Sequence, residues 1–150
     1  MALAEQIQSD LTAAMKARDA ETVATLRMVV AAIKNARVAE GHSGEVSDAE
    51  VTDLLTKQAK QRAEAAEAYD QAGRDELAAK ERRELEIIRG YLPEQLDDAE
   101  VARIVDEAIA ATGAEGPADV GKVMGAVMPK VKGRADGKQV NAIVRERLGA

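Results

Sequence analysis

Cysteine, phenylalanine and tryptophan are absent from this 150-residue chain, and its only aromatic residues are Tyr69 and Tyr91. Without cysteine there can be no disulfide, no thiolate metal site and no thiol nucleophile. Without large aromatics the core must be filled by Ala, Val, Leu, Ile and Met. Such short side chains let helices approach closely, and alanine is the best helix former. An all-α chain is the expectation. The single histidine, His42, sits in the loop Gly41-His42-Ser43-Gly44. A metal or general-base role needs partners it lacks nearby, so solvent exposure is expected, with no metal and no cofactor. No apolar run approaches the roughly 20 residues of a membrane span, so no membrane partner is expected. The stretch MALAEQIQSDL has acids where a secretory leader needs apolar residues, which leads to the expectation of a cytoplasmic protein.

Catalytic motifs are equally scarce. The serines are Ser9, Ser43 and Ser47, and Ser47 is better explained as a helix cap. There is no GxSxG, P-loop, GxGxxG or HExxH. Carboxylate pairs such as Glu64/Glu67 and Asp75/Glu76 are what a chain with 27 acids puts on helix surfaces. Amide transfer from glutamine needs an activated cysteine or serine, and neither is present. No catalytic residue is assigned.

What the chain does contain is helical periodicity. Leu3, Ile7, Leu11 and Met15 predict a helix over 3–17. Asp19 caps a second helix reaching about Glu40, with Val23, Leu26, Val29, Val30 and Ile33 inward and Arg27, Lys34, Asn35 and Arg37 outside that arc. Ser47-Asp48-Ala49-Glu50 reads as a capping box opening a third helix that stops at Gly73. Val51, Leu54, Leu55, Ala59, Ala66 and Tyr69 face inward on it, while Lys57, Lys60, Gln61 and Arg62 form a polar cluster. A fourth helix, about Asp75 to Gly90, is expected to bury Leu77, Leu85 and Ile88. Its charged run, Lys80 to Glu86, reads as a solvated face. Pro93 breaks the pattern and marks a boundary near residue 95. Beyond it, Asp97 with Glu100 caps a fifth helix ending at Gly113. Gly116-Pro117-Ala118-Asp119 opens a sixth. Pro129 should end or kink that helix near Met128. Asp136 with Gln139 caps the last. The expected architecture is a four-helix N-terminal domain (1–95) and a three-helix C-terminal domain (96–150).

Charge divides unevenly along this plan. From Pro117 onward seven Lys and Arg face three acids, net +4, while the preceding 116 residues carry 14 against 24, net −10; together they make the chain's −6. The positive part centres on DVGKVMGAVMPKVKGRADG (119–137). There Val120, Val123, Met124, Val127, Met128 and Val131 keep one helix face apolar. Glycines and cations occupy the rest: Gly121, Lys122, Gly125, Lys130, Lys132, Gly133, Arg134 and, just beyond, Lys138. Gly121 and Gly125 either let another helix pack closely or expose backbone to a ribose-phosphate chain. With no aromatic after Tyr91 to stack bases, RNA contact would be by shape and backbone.

On the motifs KQRAEAAEAYDQAGRDELAAKERRELEIIRGYLPEQL (57–96) and DVGKVMGAVMPKVKGRADG (119–137) the chain resembles the GatB/YqeY family in its stand-alone YqeY form. The resemblance runs the whole length and implies a two-part all-helical protein. Its C-terminal part is similar to the tail domain of the B subunit of glutamyl/aspartyl-tRNA amidotransferase, which contacts tRNA. Similar modules are appended to some glutaminyl-tRNA synthetases. The family label of carbon–nitrogen ligase with glutamine as amide donor belongs to the whole amidotransferase. A departure is Val120, where methionine is common. The expected function is a tRNA-binding accessory module in tRNA-dependent amidation, with Gly121, Lys122, Gly125, Lys130, Lys132, Gly133, Arg134 and Lys138 at the RNA. An aminoacyl-tRNA synthetase or amidotransferase is the expected protein partner. The alternative is a helical protein-interaction adaptor without RNA binding.

Overall fold

In a computed structural model, residues 2–39, 41, 42 and 44–150 are described. Glu40 and Ser43, expected at a helix end and in a loop, lie outside them. Among the described residues there are seven α-helices and no strand: α1 (Leu3–Ala17), α2 (Ala20–Arg37), α3 (Asp48–Gln71), α4 (Asp75–Arg89), α5 (Asp98–Thr112), α6 (Val120–Val131) and α7 (Gly137–Leu148). A 3-10 turn, Pro117–Asp119, leads into α6. The chain separates into two compact units, Met1–Leu92 and Pro93–Ala150.

In the first unit the buried core is Ile7, Leu11, Leu26, Val29, Ile33, Val46, Val51, Leu55 and Ile88. Met15, expected to complete the α1 stripe, is exposed, and Ala14 is buried in its place. Steps of four overshoot a 3.6-residue turn by about 40° each, so three steps from Leu3 carry Met15 round the helix. Leu77 is exposed for a similar reason, eight residues from Leu85; Ala78 is the residue that turns inward. The inward stripe of α4 is Ala78, Glu81, Glu84, Leu85 and Ile88, so part of the charged run is not a solvated face. Glu84 is buried, with its carboxylate 3.1 Å from Arg62 Nε, and Glu81 lies 3.7 Å from the same atom. Arg83 pairs with Glu21 at 2.8 Å and Arg82 with Asp70, so α4 is tied by charge to α2 and α3.

His42 also departs from expectation. Its ring is largely covered and its Nε2 lies 2.8 Å from the Glu50 carboxylate. That contact is the main reason the Glu50 carboxyl titrates below its usual range. Ser47 accepts from the Glu50 N–H as the capping box requires, but the Glu50 carboxylate is turned to His42 and the Ser47 hydroxyl.

Tyr91 closes this unit by donating its hydroxyl to Asp10 at 2.6 Å, joining the chain beyond α4 to α1. Burial first, then the Asp10 hydrogen bond, pushes the Tyr91 phenol above its ordinary range. A raised folded value means the contribution is whole below pH about 10 and fades only as pH rises through the raised value. Tyr91→Phe is therefore expected to cost about 1.5 kcal/mol or more of unit stability at neutral pH in urea unfolding, by loss of one hydrogen bond to a charged group. The gap between variant and parent should close only at strongly alkaline pH. An undiminished gap there contradicts the assignment.

The second unit has its own core, with three side chains from each helix: Val101, Val105 and Ala108; Val123, Val127 and Val131; Val140, Val144 and Leu148. α5 opens with the full capping box: the Asp97 carboxylate accepts the Glu100 N–H at 2.8 Å and the Glu100 carboxylate accepts the Asp97 N–H at 3.0 Å. Pro129 does not end α6 at Met128. The helix continues to Val131, whose buried side chain holds the last turn in the core. So near the helix end, proline removes only its own bond to the Gly125 carbonyl.

Candidate nucleic-acid interface

α6 is positioned by its valine stripe, which leaves the opposite side to water. Gly121, Lys122, Gly125 and Pro129 are exposed there. At about 100° per residue they share an arc of roughly a quarter of the helix circumference. A Cβ added at Gly121 or Gly125 would meet nothing within 4 Å. Tight helix packing therefore does not explain the two glycines, which leave bare backbone facing solvent next to Lys122.

Lys130 lies about 80° round the helix from Lys122, toward the C-terminal end of α6. Lys138 stands in the first turn of α7, where its backbone N–H donates to the capping Asp136 carboxylate at 3.1 Å. Lys122, Lys130 and Lys138 are all exposed, and among the described residues none of the three has an ion-pair partner. Gln139, expected to share the cap, bonds the Asp98 carboxylate of α5 instead.

The connector between α6 and α7 is a shaped turn. Gly133 is buried at φ 76°, and its carbonyl accepts from Gln95 Nε2 at 2.8 Å. The Leu96 N–H donates to the Arg134 carbonyl at 2.8 Å, and Arg134 Nε donates to the Glu94 carbonyl at 3.3 Å. Gly133 and Arg134 thus fasten the connector to the segment before α5. Lys132 is exposed and is not without a partner. Of the two remaining C-terminal cations, Arg147 pairs with Asp106 at 3.0 Å and Arg145 bonds Asn141 at 2.8 Å. The structure therefore brings Gly121, Lys122 and Gly125 together on one face, with Lys130 near the C-terminal end of the same helix and Lys138 at the start of α7. It withdraws Gly133 into the fold.

The left-handed φ at Gly133 costs a side-chain-bearing residue roughly 1–2 kcal/mol. Gly133→Ala should lower the stability of the second unit by about that amount in thermal unfolding. An unchanged melting temperature contradicts a conformational requirement there.

Among the described residues no three His, Cys, Asp or Glu side chains gather to hold a metal ion. Among them, too, no helix is long and apolar enough to cross a membrane.

The fold and surface define a class: an all-helical chain whose C-terminal unit carries exposed lysines and open glycine backbone. The family model described as Yqey-like protein matches residues 4–148, and the chain belongs to that family. It is 31% identical over 148 residues to "Altered inheritance of mitochondria protein 41, mitochondrial" of Pyrenophora tritici-repentis, covering 97% of this chain and 80% of that protein. The protein of the same name from Clavispora lusitaniae is 34% identical over 91 residues, which are 61% of this chain and 52% of that one. A stretch of 57 residues, 35% of this chain, is 42% identical to 9% of a glutamyl-tRNA(Gln) amidotransferase subunit from Thermococcus gammatolerans. The last likeness supports a relation to the amidotransferase tail.

The mitochondrial relatives overturn the cytoplasmic expectation. That expectation rested on the lack of a secretory apolar run. Such a run speaks to secretion and not to organelle import, whose signals are amphipathic and basic.

Proposed function

We propose that the chain is a tRNA-binding accessory module serving tRNA-dependent amidation, the formation of Gln-tRNA or Asn-tRNA. The observation that carries this reading is the open face of Gly121, Lys122 and Gly125, together with exposed Lys130 on the same helix and Lys138 on α7, neither with an ion-pair partner among the described residues. Ammonium groups free of carboxylates can release counterions from phosphates, and glycine lets a ribose-phosphate chain approach the backbone. The likeness to an amidotransferase subunit, and the names of the mitochondrial relatives, support the process and its compartment. In this reading the four helices of residues 1–95 and the three of 96–150 are separate domains. Gly133, Lys132 and Arg134 shape the connector and hold the cations in place. The amide chemistry resides in the partner, an amidotransferase or synthetase.

The test is fluorescence anisotropy of labelled tRNA titrated with the full chain at low salt. Saturable binding that weakens steeply with added salt is expected. A chain that retains no tRNA yet captures an amidotransferase after nuclease treatment supports an adaptor without RNA contact.

A further inference from the structure

Outside the C-terminal unit one surface is unlike the rest of its own unit. Seventeen Asp and Glu lie in residues 1–92, but none between Thr22 and Ala39, where Arg27, Lys34 and Arg37 stand. Most of α2 is thus a basic helix in an acidic unit. Ala24, Arg27, Met28, Ala31, Lys34, Asn35 and Val38 are exposed at helical spacing and fall within about a third of the helix circumference.

The same face collects exposed apolar side chains. Among the described residues four large hydrophobic side chains are exposed: Met15 47%, Met28 37%, Val38 80% and Leu77 40%. Two of them lie on this face and a third, Met15, borders it, since Arg27 Nη2 contacts the Met15 sulfur at 3.9 Å. On the other flank Arg62 Nη2 lies 3.2 Å from the Met28 sulfur. Among the described residues Lys34 and Asn35 have no side-chain partner, and Arg27 has no carboxylate. Arg37 is taken by Glu45 at 2.6 Å.

From this juxtaposition we propose that the α2 face docks an acidic amphipathic helix of a protein partner. Its apolar residues seat on Met15, Met28 and Val38, and its carboxylates meet Arg27 and Lys34. Methionines are adaptable apolar contacts, and helix recognition reads anchors at this i, i+3, i+4, i+7 spacing. Two cations of one sign, two turns apart, select a negative partner and set its register. The apolar content favours a protein over nucleic acid, because a phosphate chain gains nothing from Met28 and Val38 and none of the residues named on this face is an aromatic that could stack a base. The proposal is independent of tRNA binding by the second unit.

The methionines allow one experiment to separate the two. In the full chain carrying 13C-methyl methionine, Met15 and Met28 report on α2, and Met124 and Met128 report on α6. The probe is a synthetic helical peptide of about 20 residues with leucine along one face and glutamate flanking it. Saturable shifts at Met15 and Met28, with Met124 and Met128 unmoved, are expected. Arg27→Glu with Lys34→Glu should weaken the peptide at least about tenfold, as should replacing its glutamates by glutamine. Val38→Asp, at an exposed site remote from the core, should weaken it as well. The proposal is overturned if the peptide moves neither Met15 nor Met28, or if its glutamine version binds equally well. It is also overturned if tRNA, and not the peptide, moves those two methyls.

Discussion

Replacing Lys122, Lys130 and Lys138 together by glutamate is expected to weaken tRNA binding by about a hundredfold or more at roughly 0.1 M salt. Each phosphate contact contributes about 0.9 to the slope of log K against log salt, so losing three should flatten that slope by nearly three. The effect is large because all three ammonium groups are exposed and none has an ion-pair partner among the described residues. For the same reason the variant should keep the parent's melting temperature. Single reversals should each flatten the slope by about one, with Lys122 the most costly because it stands beside the open backbone of Gly121 and Gly125. An affinity change within twofold, with folding intact, places the RNA contact elsewhere.

The largest single-residue stability effect is expected at Arg62. Its side chain is 17% exposed and that of Glu84 is 10% exposed, with 3.1 Å between Nε and the carboxylate oxygen. The contact is an ion pair without hydrogen-bond alignment. Arg62→Met removes the countercharge and leaves Glu84 buried and unpaired, with Glu81 close by. Stranding one partner of a buried pair costs about 3 kcal/mol or more, whereas replacing both by apolar groups is often neutral or stabilising. Urea unfolding of Arg62→Met should therefore show a loss near 3 kcal/mol. The double variant with Glu84→Met should recover most of it, giving a strong coupling in the double-mutant cycle. A single-variant loss under about 1 kcal/mol means that Glu84 is in effect solvated.

These same residues show where sequence reading works and where it stops. Helix positions are legible because caps and apolar spacing are local signals: Asp19 accepts from Thr22, Asp97 and Glu100 cap each other, and Asp136 caps α7. Arg62 and Glu84 are not legible as a pair. A mixed-charge run looks the same whether it faces water or a neighbouring helix, and only the packing of α3 on α4 turns Glu81 and Glu84 inward. His42 escapes likewise, because Glu50 is brought to it by the geometry of the loop rather than by proximity in sequence.

Within the candidate interface the valine stripe locates α6 correctly and leaves its polar side free, as its periodicity requires. Whether Gly121 and Gly125 pack against another helix cannot be decided from spacing, which is identical in the two cases. The empty space around them decides it. Gly133 shares their composition but not their surroundings: its burial and its bond from Gln95, 38 residues away, are long-range features with no trace in the local sequence. The exposed face of α2 has a signal in its run without acids, but charge summed over whole segments rather than helix by helix hides it.

Lysine reactivity, measured by mass spectrometry of the acetylated full chain with and without tRNA, tests the proposed RNA interface most directly. Slowed acetylation at Lys122, Lys130 and Lys138, with Lys16, Lys34, Lys57 and Lys80 unchanged, is the expected result. Protection confined to the lysines of residues 1–92, or no site-specific protection under conditions where tRNA is bound, contradicts it.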